Sequence, residues 1–594
     1  MNPNDQRQRD QLAANVEWSY DQMDPFRKLT RGLVEEYAGA GYGRSDQPKF
    51  DQVINLMNQA AVAATMTLAA NRPRVLLSTE YSQYTYFAKK FTLSINNLIK
   101  EIRLESSLRM FVLDAFFCAG FMRVFQKDSI PVMLEQDMWI DPGNPWASSV
   151  SVDNIFFDYR ATRWGEIRYA GDMYRIPFED IERGDRYEFQ ATQGLRPNSK
   201  YDYVDEGRLE RISKGDLTDH DEFEPHIDVA DVWIRKTNQI LTYAVQLKAG
   251  KLNLMGKPIA VNPYNGPEGG PYDMLGFNPV PQNVMPTSPA QHVAYMSRLI
   301  NSLLRKQSKR ARNQKRINTY TPAGAQSADN IAKANDGDFR VVEDPTQIGE
   351  VNIGGVDPQT QAFVGGLVQL FDRMSGNLSA KMGLGPQSGT VGQDRMINEQ
   401  VSSMDSLMQL RVQEATTSVI TKLGHMLWHD DAKRIPGRLP IEGAEGYFVD
   451  ASWTPEDREG NFIDYDFDID VYSMMYTSPQ QRVSAINGLL KEIYLPLADQ
   501  LAAQGGQVNL QQLTDIHADL LSLPRLRQVI QFANIPPEDR PGPQGTGKPS
   551  ETTRRYVRTS DSNGGGYAGR QAAEQQMWLG AANSDNAAMA TQLG

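Results

Sequence analysis

Four places in this sequence put reactive side chains at spacings that chemistry uses. The segment GPQGTGKPS, Gly542 to Ser550, comes close to the phosphate-cradling loop G-x-x-x-x-G-K-[ST]. That loop needs a strand before it, a helix after it and a hydroxyl behind the lysine to meet magnesium. Pro549 stands in the hydroxyl position and no apolar strand precedes the segment, so composition accounts for the match. His425 and His429 lie four apart in HMLWHDD, a spacing at which two imidazoles on a helix can share a metal. No glutamate follows His425 as in a zinc protease, so two surface or core histidines are expected instead. In DYDFDID the carboxylates Asp464, Asp466, Asp468 and Asp470 alternate strictly. On a strand all four share one face, where magnesium for nuclease or phosphoryl-transfer work is conceivable. Same-face neighbours are roughly 7 Å apart, wide for one ion, and a half-buried strand with a solvated acidic face is the expected reading. Cys118, after Phe116 and Phe117, reads as a small buried hydrophobe and not a nucleophile. No motif supports an enzyme, and neither a cofactor nor a metal is expected.

A denser signal is positive charge. Arg298, Arg305, Lys306, Lys309, Arg310, Arg312, Lys315 and Arg316 place eight cations in nineteen residues. No Asp or Glu occurs between Asp273 and Asp329. Such a run repels itself unless something negative is near. Pairing with another element or subunit is the favoured reading, the acidic segments 336–350 and 464–470 being candidate partners; nucleic acid is the other reading.

Positioning such groups requires folded elements, and composition allows them. Of 594 residues 40% are hydrophobic, enough for real cores, and the length suggests about three or four domains. The net charge of −12 argues against a surface that grips nucleic acid throughout. One cysteine excludes an intrachain disulfide framework and suits a reducing compartment. The N-terminus lacks the apolar core of a signal peptide, and Met110 to Phe125, broken by Asp114 and Arg123, is too short and too charged to span a bilayer. Residues 1–48 are polar with one amphipathic stretch, Leu12 to Phe26. Helical spacing begins at Phe50, and a second helical region covers about 83–118 before a strand-like FMRVFQKD. Residues 130–288 carry short strand candidates at 150–158, 167–176, 229–236 and 240–247, the last two forming a hairpin across Thr237, Asn238 and Gln239. A helix follows from Pro289, then an insert with an extended piece at 338–344, a helix from Pro358 to Met382, a glycine-rich break at 383–392 and a long helix over 393–430. Residues 445–477 read as strands and 479–535 as short helices. The Pro-, Gly-, Gln- and Ala-rich remainder reads as largely disordered. The class is α+β.

This order of elements resembles the portal proteins of tailed bacteriophages over about residues 50–535. The resemblance rests on NRPRVLLST (71–79), on the helix-to-strand segment 91–125, on VDNIFFDYRATRWGEIRYAGDMYRIPFEDI (152–181), and on the helix, insert, helix, glycine loop and long helix across 289–430. It implies a ring of about twelve subunits at one capsid vertex, through which double-stranded DNA enters and leaves. It implies an N-terminal arm at 1–49, a wing at 50–288, stem helices at 289–316 and 357–382, and a small α/β clip at 317–356. It further implies a tunnel loop at 383–393, a long helix with returning wing strands at 394–478, a helical crown at 479–535 and a flexible tail at 536–594. Implied partners are other copies, the DNA, the packaging motor (terminase), major capsid and scaffolding proteins, and tail or adaptor proteins. The implied place is the virion, after assembly in the bacterial cytoplasm, with no membrane. Expected stem contacts between subunits are Val293, Met296, Ile300 and Leu303 on one helix, and Phe363, Leu367, Leu370, Phe371 and Met374 on the other. Lys381 and Arg395, flanking the glycines Gly383, Gly385, Gly389 and Gly392, are the candidates for brief contact with DNA. Another virion adaptor or minor head protein, and a metal-dependent nuclease using the 464–470 strand, are the competing readings.

Overall fold

The computed structural model describes residues 6–474 apart from 40–53, 70, 128–131, 136–137, 141–142, 184–186, 198–224, 249–250, 335–338, 340, 343, 345, 347, 354, 376–390, 432, 441–447 and 471–472; along 132–135, 138–140, 182–183, 189–190, 247–248, 352–353 and 391–405, and at 316, 348, 350, 440 and 448, it describes the backbone alone. All of these residues belong to one compact unit, 1–476. The regions expected as crown and tail, and the loop at 542–550, lie outside the described residues.

The chain starts with helices α1 (Gln6–Gln22), α2 (Asp24–Ala38) and α3 (Leu56–Ala69). Strand β1 (Val75–Ser78) leads into α4 (Thr85–Glu101) and α5 (Leu104–Phe117). The helical region expected over 83–118 consists of two helices. They break at Arg103, whose φ of 52° lies in the left-handed region and redirects the chain so that both apolar faces meet one core. Strands β2 (Gly120–Lys127), β3 (Val132–Glu135), β4 (Met138–Ile140), β5 (Asn144–Val150), β6 (Ile155–Phe157) and β7 (Tyr169–Pro177) follow. The strand expected over 150–158 is thus split by a turn between β5 and β6. After two short helical turns come β8 (His226–Ile234), β9 (Gln239–Lys248), β10 (Lys251–Pro263) and β11 (Tyr272–Leu275). The expected hairpin is present between β8 and β9, with Asn238 at φ 48°.

Helix α6 (Pro289–Arg312) then leads to β12 (Lys315–Tyr320), α7 (Ala325–Ala332), β13 (Ile348–Ile353) and α8 (Pro358–Met374). Two helix ends fall short of expectation. The helix expected over 289–316 stops at Arg312, because Lys315 to Tyr320 pair with β13 instead. The helix expected over 357–382 ends at Met374, capped by Ser375. The extended piece expected at 338–344 forms no strand among its described residues, the paired strand being 348–353. Helix α9 (Val391–His429) leads to β14 (Arg438–Pro440), β15 (Phe448–Asp450) and β16 (Asp466–Ile469).

Two antiparallel sheets dominate, a five-stranded meander β10-β9-β8-β7-β6 and a three-stranded sheet β11-β2-β5. Strand β8 lies at the centre of the meander and is buried from Ile227 to Ile234, its apolar residues interrupted by the buried Asp228 and Asp231. Strand β16 returns across the whole sequence to pair with β1, Val75 opposite Ile469. The largest core accordingly mixes early and late residues: Phe87, Phe91, Ile95 and Phe111 pack with Val419, Leu423, Trp428, Trp453 and Tyr465. Phe91 stacks on Trp453 with centroids 4.8 Å apart.

The stretch expected as an arm, 1–49, is partly built into the fold. Leu12, Val16 and Tyr20 of α1 pack on the meander, and Leu33 of α2 joins the core around α6. Arg27 is buried, its guanidinium donating to the carbonyls of Val152, Tyr20 and Ile155. The polar composition conceals an apolar residue on every turn, which suffices for a helix that needs only one buried stripe.

Candidate functional site

Helix α6 begins where Ser288 caps it, its hydroxyl accepting from the Gln291 N–H at 3.1 Å, with Pro289 in the first turn. Its inner face is small and apolar. Ala290, Val293, Ala294 and Ile300 pack with Met57 and Ala60 of α3, Phe116 and Phe117 of α5, and Val364 and Phe371 of α8. Two reciprocal amide pairs fix its position. Asn301 donates to the Ile54 carbonyl and accepts from the Ile54 N–H, both at 3.0 Å. Gln307 donates to the Asp357 carbonyl at 3.2 Å and accepts from the Asp357 N–H at 3.1 Å. Asp357 in turn caps α8, accepting from the Gln359 N–H and the Thr360 hydroxyl. The Thr360 hydroxyl, with Arg310 beside it, holds the Asp357 carboxyl below its usual range. The hairpin β12–β13 is thereby clamped at its base between the two helices.

The expected intersubunit contacts divide. Val293, Ile300 and Phe371 are buried within the chain, and Met296, Leu303 and Leu367 pack partly against the same core. They serve intrachain packing of α6 on α8, α3 and α5, which corrects the expectation that they all face a neighbour. Phe363 is 56% exposed, Leu370 46% and Met374 42%. With Leu367 these lie at steps of four, three and four, the spacing of a coiled-coil seam. Helix α8 thus carries two apolar faces, one covered by its own chain and one open. Open apolar side chains continue along the hairpin and α7 at Ile317, Tyr320, Ile331 and Val351.

Arg305, Lys306, Lys309, Arg310 and Arg312 are all exposed. Arg298, Arg305, Lys309 and Arg312 recur at steps of seven, four and three and so share one face of α6. Arg298 meets the buried carboxylate of Glu36 at 3.0 Å, and Arg310 lies 3.7 Å from Asp357. Among the described residues these acids answer the basic helix; Asp336, Asp338 and Glu343 of the segment 336–350 lie outside the described residues. The cations of the last turn also complement the helix dipole. Lys381, Gly383, Gly385, Gly389 and Gly392 need separate placement: the first four lie outside the described residues, while Gly392 and Arg395 belong to the backbone of α9.

The other sequence candidates fall apart from this region. His425 and His429 stack at 4.1 Å on α9, with His429 Nδ1 2.9 Å from the His425 carbonyl oxygen. Burial, with His429 adding to it, pushes His425 down to about 4. Only Asp466 and Asp468 lie on β16; Asp464 sits in the turn before it, accepting from the Asn461 N–H. Tyr465 and Ile469 face inward as the alternation demands. Among the described residues no group of three His, Cys, Asp or Glu side chains is placed to hold a metal ion. Burial raises the Cys118 thiol.

A buried polar network lies where the two sheets meet, and the motif reading overlooked it. Arg123 of β2 donates to Asp172 of β7 at 2.7 Å and to Asp231 of β8. Tyr272 donates to Asp172 at 2.6 Å, and Tyr174 and Thr242 donate to Asp231 at 3.1 and 2.6 Å. Burial alone pulls the guanidinium down, but Asp172, Tyr272 and Asp231 outweigh it and hold Arg123 charged. Burial pushes Asp172 up against the pull of Arg123. Beside it, Lys422 of α9 lies 2.8 Å from Asp273 and donates to the Tyr272 carbonyl, while Ser418 donates to Asp273. The network pins α9 to β11 and β11 to both sheets. The signal was present: FMRVF, AGDMY, VADVW and VITKLG each set one charge in an apolar run, which a folded core tolerates only when the charges meet.

No helix among the described residues is long and apolar enough to cross a membrane. No protein-family model matches the chain, and no curated protein matches it.

Proposed function

We propose that this chain is the subunit of a ring-shaped DNA channel of the tailed-phage portal type. In this reading α6 and α8 form the stem, and the β12–α7–β13 insert forms the clip that meets the packaging motor and later the tail or adaptor proteins. Double-stranded DNA passes through the bore during packaging and ejection, and capsid and scaffolding proteins surround the vertex. The observation that carries the reading is the open stripe Phe363, Leu370 and Met374, beside the face of α8 that Val364 and Phe371 already pack, with half-buried Leu367 between the two. A monomer gains nothing from such a seam, whereas a ring built by rotation covers it at every interface. The hairpin supports the same conclusion, since a lone two-stranded ribbon with exposed Ile317, Tyr320 and Val351 is marginal in water without neighbours.

Charge is consistent with a bore that lets DNA slide. The chain is acidic overall, and one run of exposed cations lies at the C-terminal end of α6. Affinity for DNA rises steeply with each phosphate neutralised, so few contacts permit repeated release. Images of the purified protein viewed down the oligomer axis test the proposal. Rings of about eleven to thirteen subunits are the expected result. Monomers or dimers under every assembly condition would refute it.

A further inference from the structure

At one end of the β7–β8 pair of the five-stranded sheet, α1 and these strands line a cleft of about 400 Å³. Its lining is Leu12, Asn15, Arg168, Tyr169, Ile234, Arg235 and Lys236. The floor is apolar, with Leu12, Tyr169 and Ile234 almost fully covered. The rim is cationic and no carboxylate lines the cleft. Asp158 answers Arg168 through two hydrogen bonds. The Arg235 guanidinium donates to the Gly165 carbonyl, and no carboxylate among the described residues pairs with Arg235 or Lys236. The cleft therefore suits an apolar knob flanked by free carboxylates.

The same chain carries such a knob. Ile463 is 89% exposed, the second most exposed large hydrophobic among the described residues. It is held outward by a built turn. Asn461 and Asp464 form a reciprocal capping box around it, and Phe462 beside it is tucked against His425 at 5.1 Å and Phe467 at 5.2 Å. Glu459 and Asp466 on either side are exposed, and neither carboxylate has a partner among the described residues.

We propose that Ile463 of one copy, with Glu459 and Asp466, seats in the Leu12–Tyr169–Ile234 cleft of the next copy against Arg235 and Lys236. The knob and the cleft are different surfaces, so the contact is head-to-tail and leaves each copy with one of each to offer. That is the geometry a closing ring needs, and the inference rests on the ring reading proposed above. It also places part of the interface outside the α8 seam.

The test uses three full-length variants: Ile463→Asp (knob), Arg235→Glu with Lys236→Glu (cleft), and Glu459→Lys with Asp466→Lys (knob charge). All altered side chains are exposed, Arg235 also donating to the Gly165 carbonyl, and circular dichroism with thermal melting checks that each variant folds. Mass photometry then reads assembly. Each variant alone is expected to need about thirtyfold more protein to assemble. The knob-charge and cleft variants mixed are expected to regain assembly, because the reversed charges match. The Ile463→Asp and cleft variants mixed are expected to stay weakened relative to the wild type, because in any alternating order only every second contact works. Wild-type rings that all three variants form equally well overturn this contact and leave the ring reading standing. Dimers or open chains from the wild type, abolished by the variants, keep the contact and overturn the ring. A cleft variant that fails while Ile463→Asp assembles normally assigns the cleft to another ligand and overturns the contact.

Discussion

Phe363 and Phe371 lie eight residues apart on α8, yet the structure assigns them opposite tasks. Phe371 is 1% exposed inside the core shared with α6, whereas Phe363 is 56% exposed on the open seam. A phenylalanine side chain presents about 200 Å² to water, so roughly 110 Å² of Phe363 remains uncovered in the single chain. At about 25 cal/mol per Å² its burial by a neighbour stabilises each interface by about 2.8 kcal/mol, or about a hundredfold in association. Phe363→Ser is therefore expected to leave the melting temperature of the unassembled chain nearly unchanged while raising the assembly midpoint about a hundredfold. Phe371→Ala should instead cost the fold about 3–5 kcal/mol through the cavity it leaves. Thermal or urea unfolding under dissociating conditions reads the first quantity, and mass photometry across a concentration series the second. Equal losses of fold stability in the two variants would refute the assignment of faces. So would normal assembly of Phe363→Ser.

Further outcomes follow from the polar groups. Arg123→Met should lower stability at pH 7 by about 3–5 kcal/mol in urea titrations, because Asp172 and Asp231 stay buried without their cation. The deficit should shrink on acidification: a carboxyl whose folded-state pKa is raised favours the fold below its unfolded value of about 3.9 and loses that contribution as pH rises. An equal deficit at pH 4 and pH 7 would contradict the network. His425 behaves in the opposite sense. Its folded-state value, pushed down to about 4, lies below the ordinary 6.5, so the fold takes up fewer protons than the unfolded chain between them. Stability present above pH 6.5 is lost as pH falls toward 4, and His425→Gln should flatten that part of the profile in urea melts at stepped pH. Replacing Arg305, Lys309 and Arg312 with Ala should reduce the salt dependence of weak DNA binding by about three in the slope of log K against log salt. An unchanged slope would remove these cations from contact with the backbone.

The extent to which the sequence could be read follows from how local each signal was. Helix α6 was legible because Val293, Ile300 and their neighbours recur at helical spacing behind a Ser-Pro start. The β8–β9 hairpin was legible from two apolar runs around a polar turn. The pairing of β1 with β16 was not, since Val75 and Ile469 are brought together by the whole intervening chain. The division of the α8 stripe between Phe371 inside and Phe363 outside also escaped, because periodicity reports an apolar position and not what covers it. The isolated charges of β2, β7, β8 and α9 were visible one by one. Their meeting depended on sheet register, Asp172 opposite Asp231 on neighbouring strands, which no local pattern encodes.

The central claim is that open surfaces on this chain close on copies of itself around an axis. Electron-microscope images of the purified full-length protein, averaged along the oligomer axis, test it most directly. The account predicts closed rings of about eleven to thirteen copies around an open bore wide enough for duplex DNA. A population of monomers or closed two-fold dimers, persisting across protein concentration and salt, would contradict it.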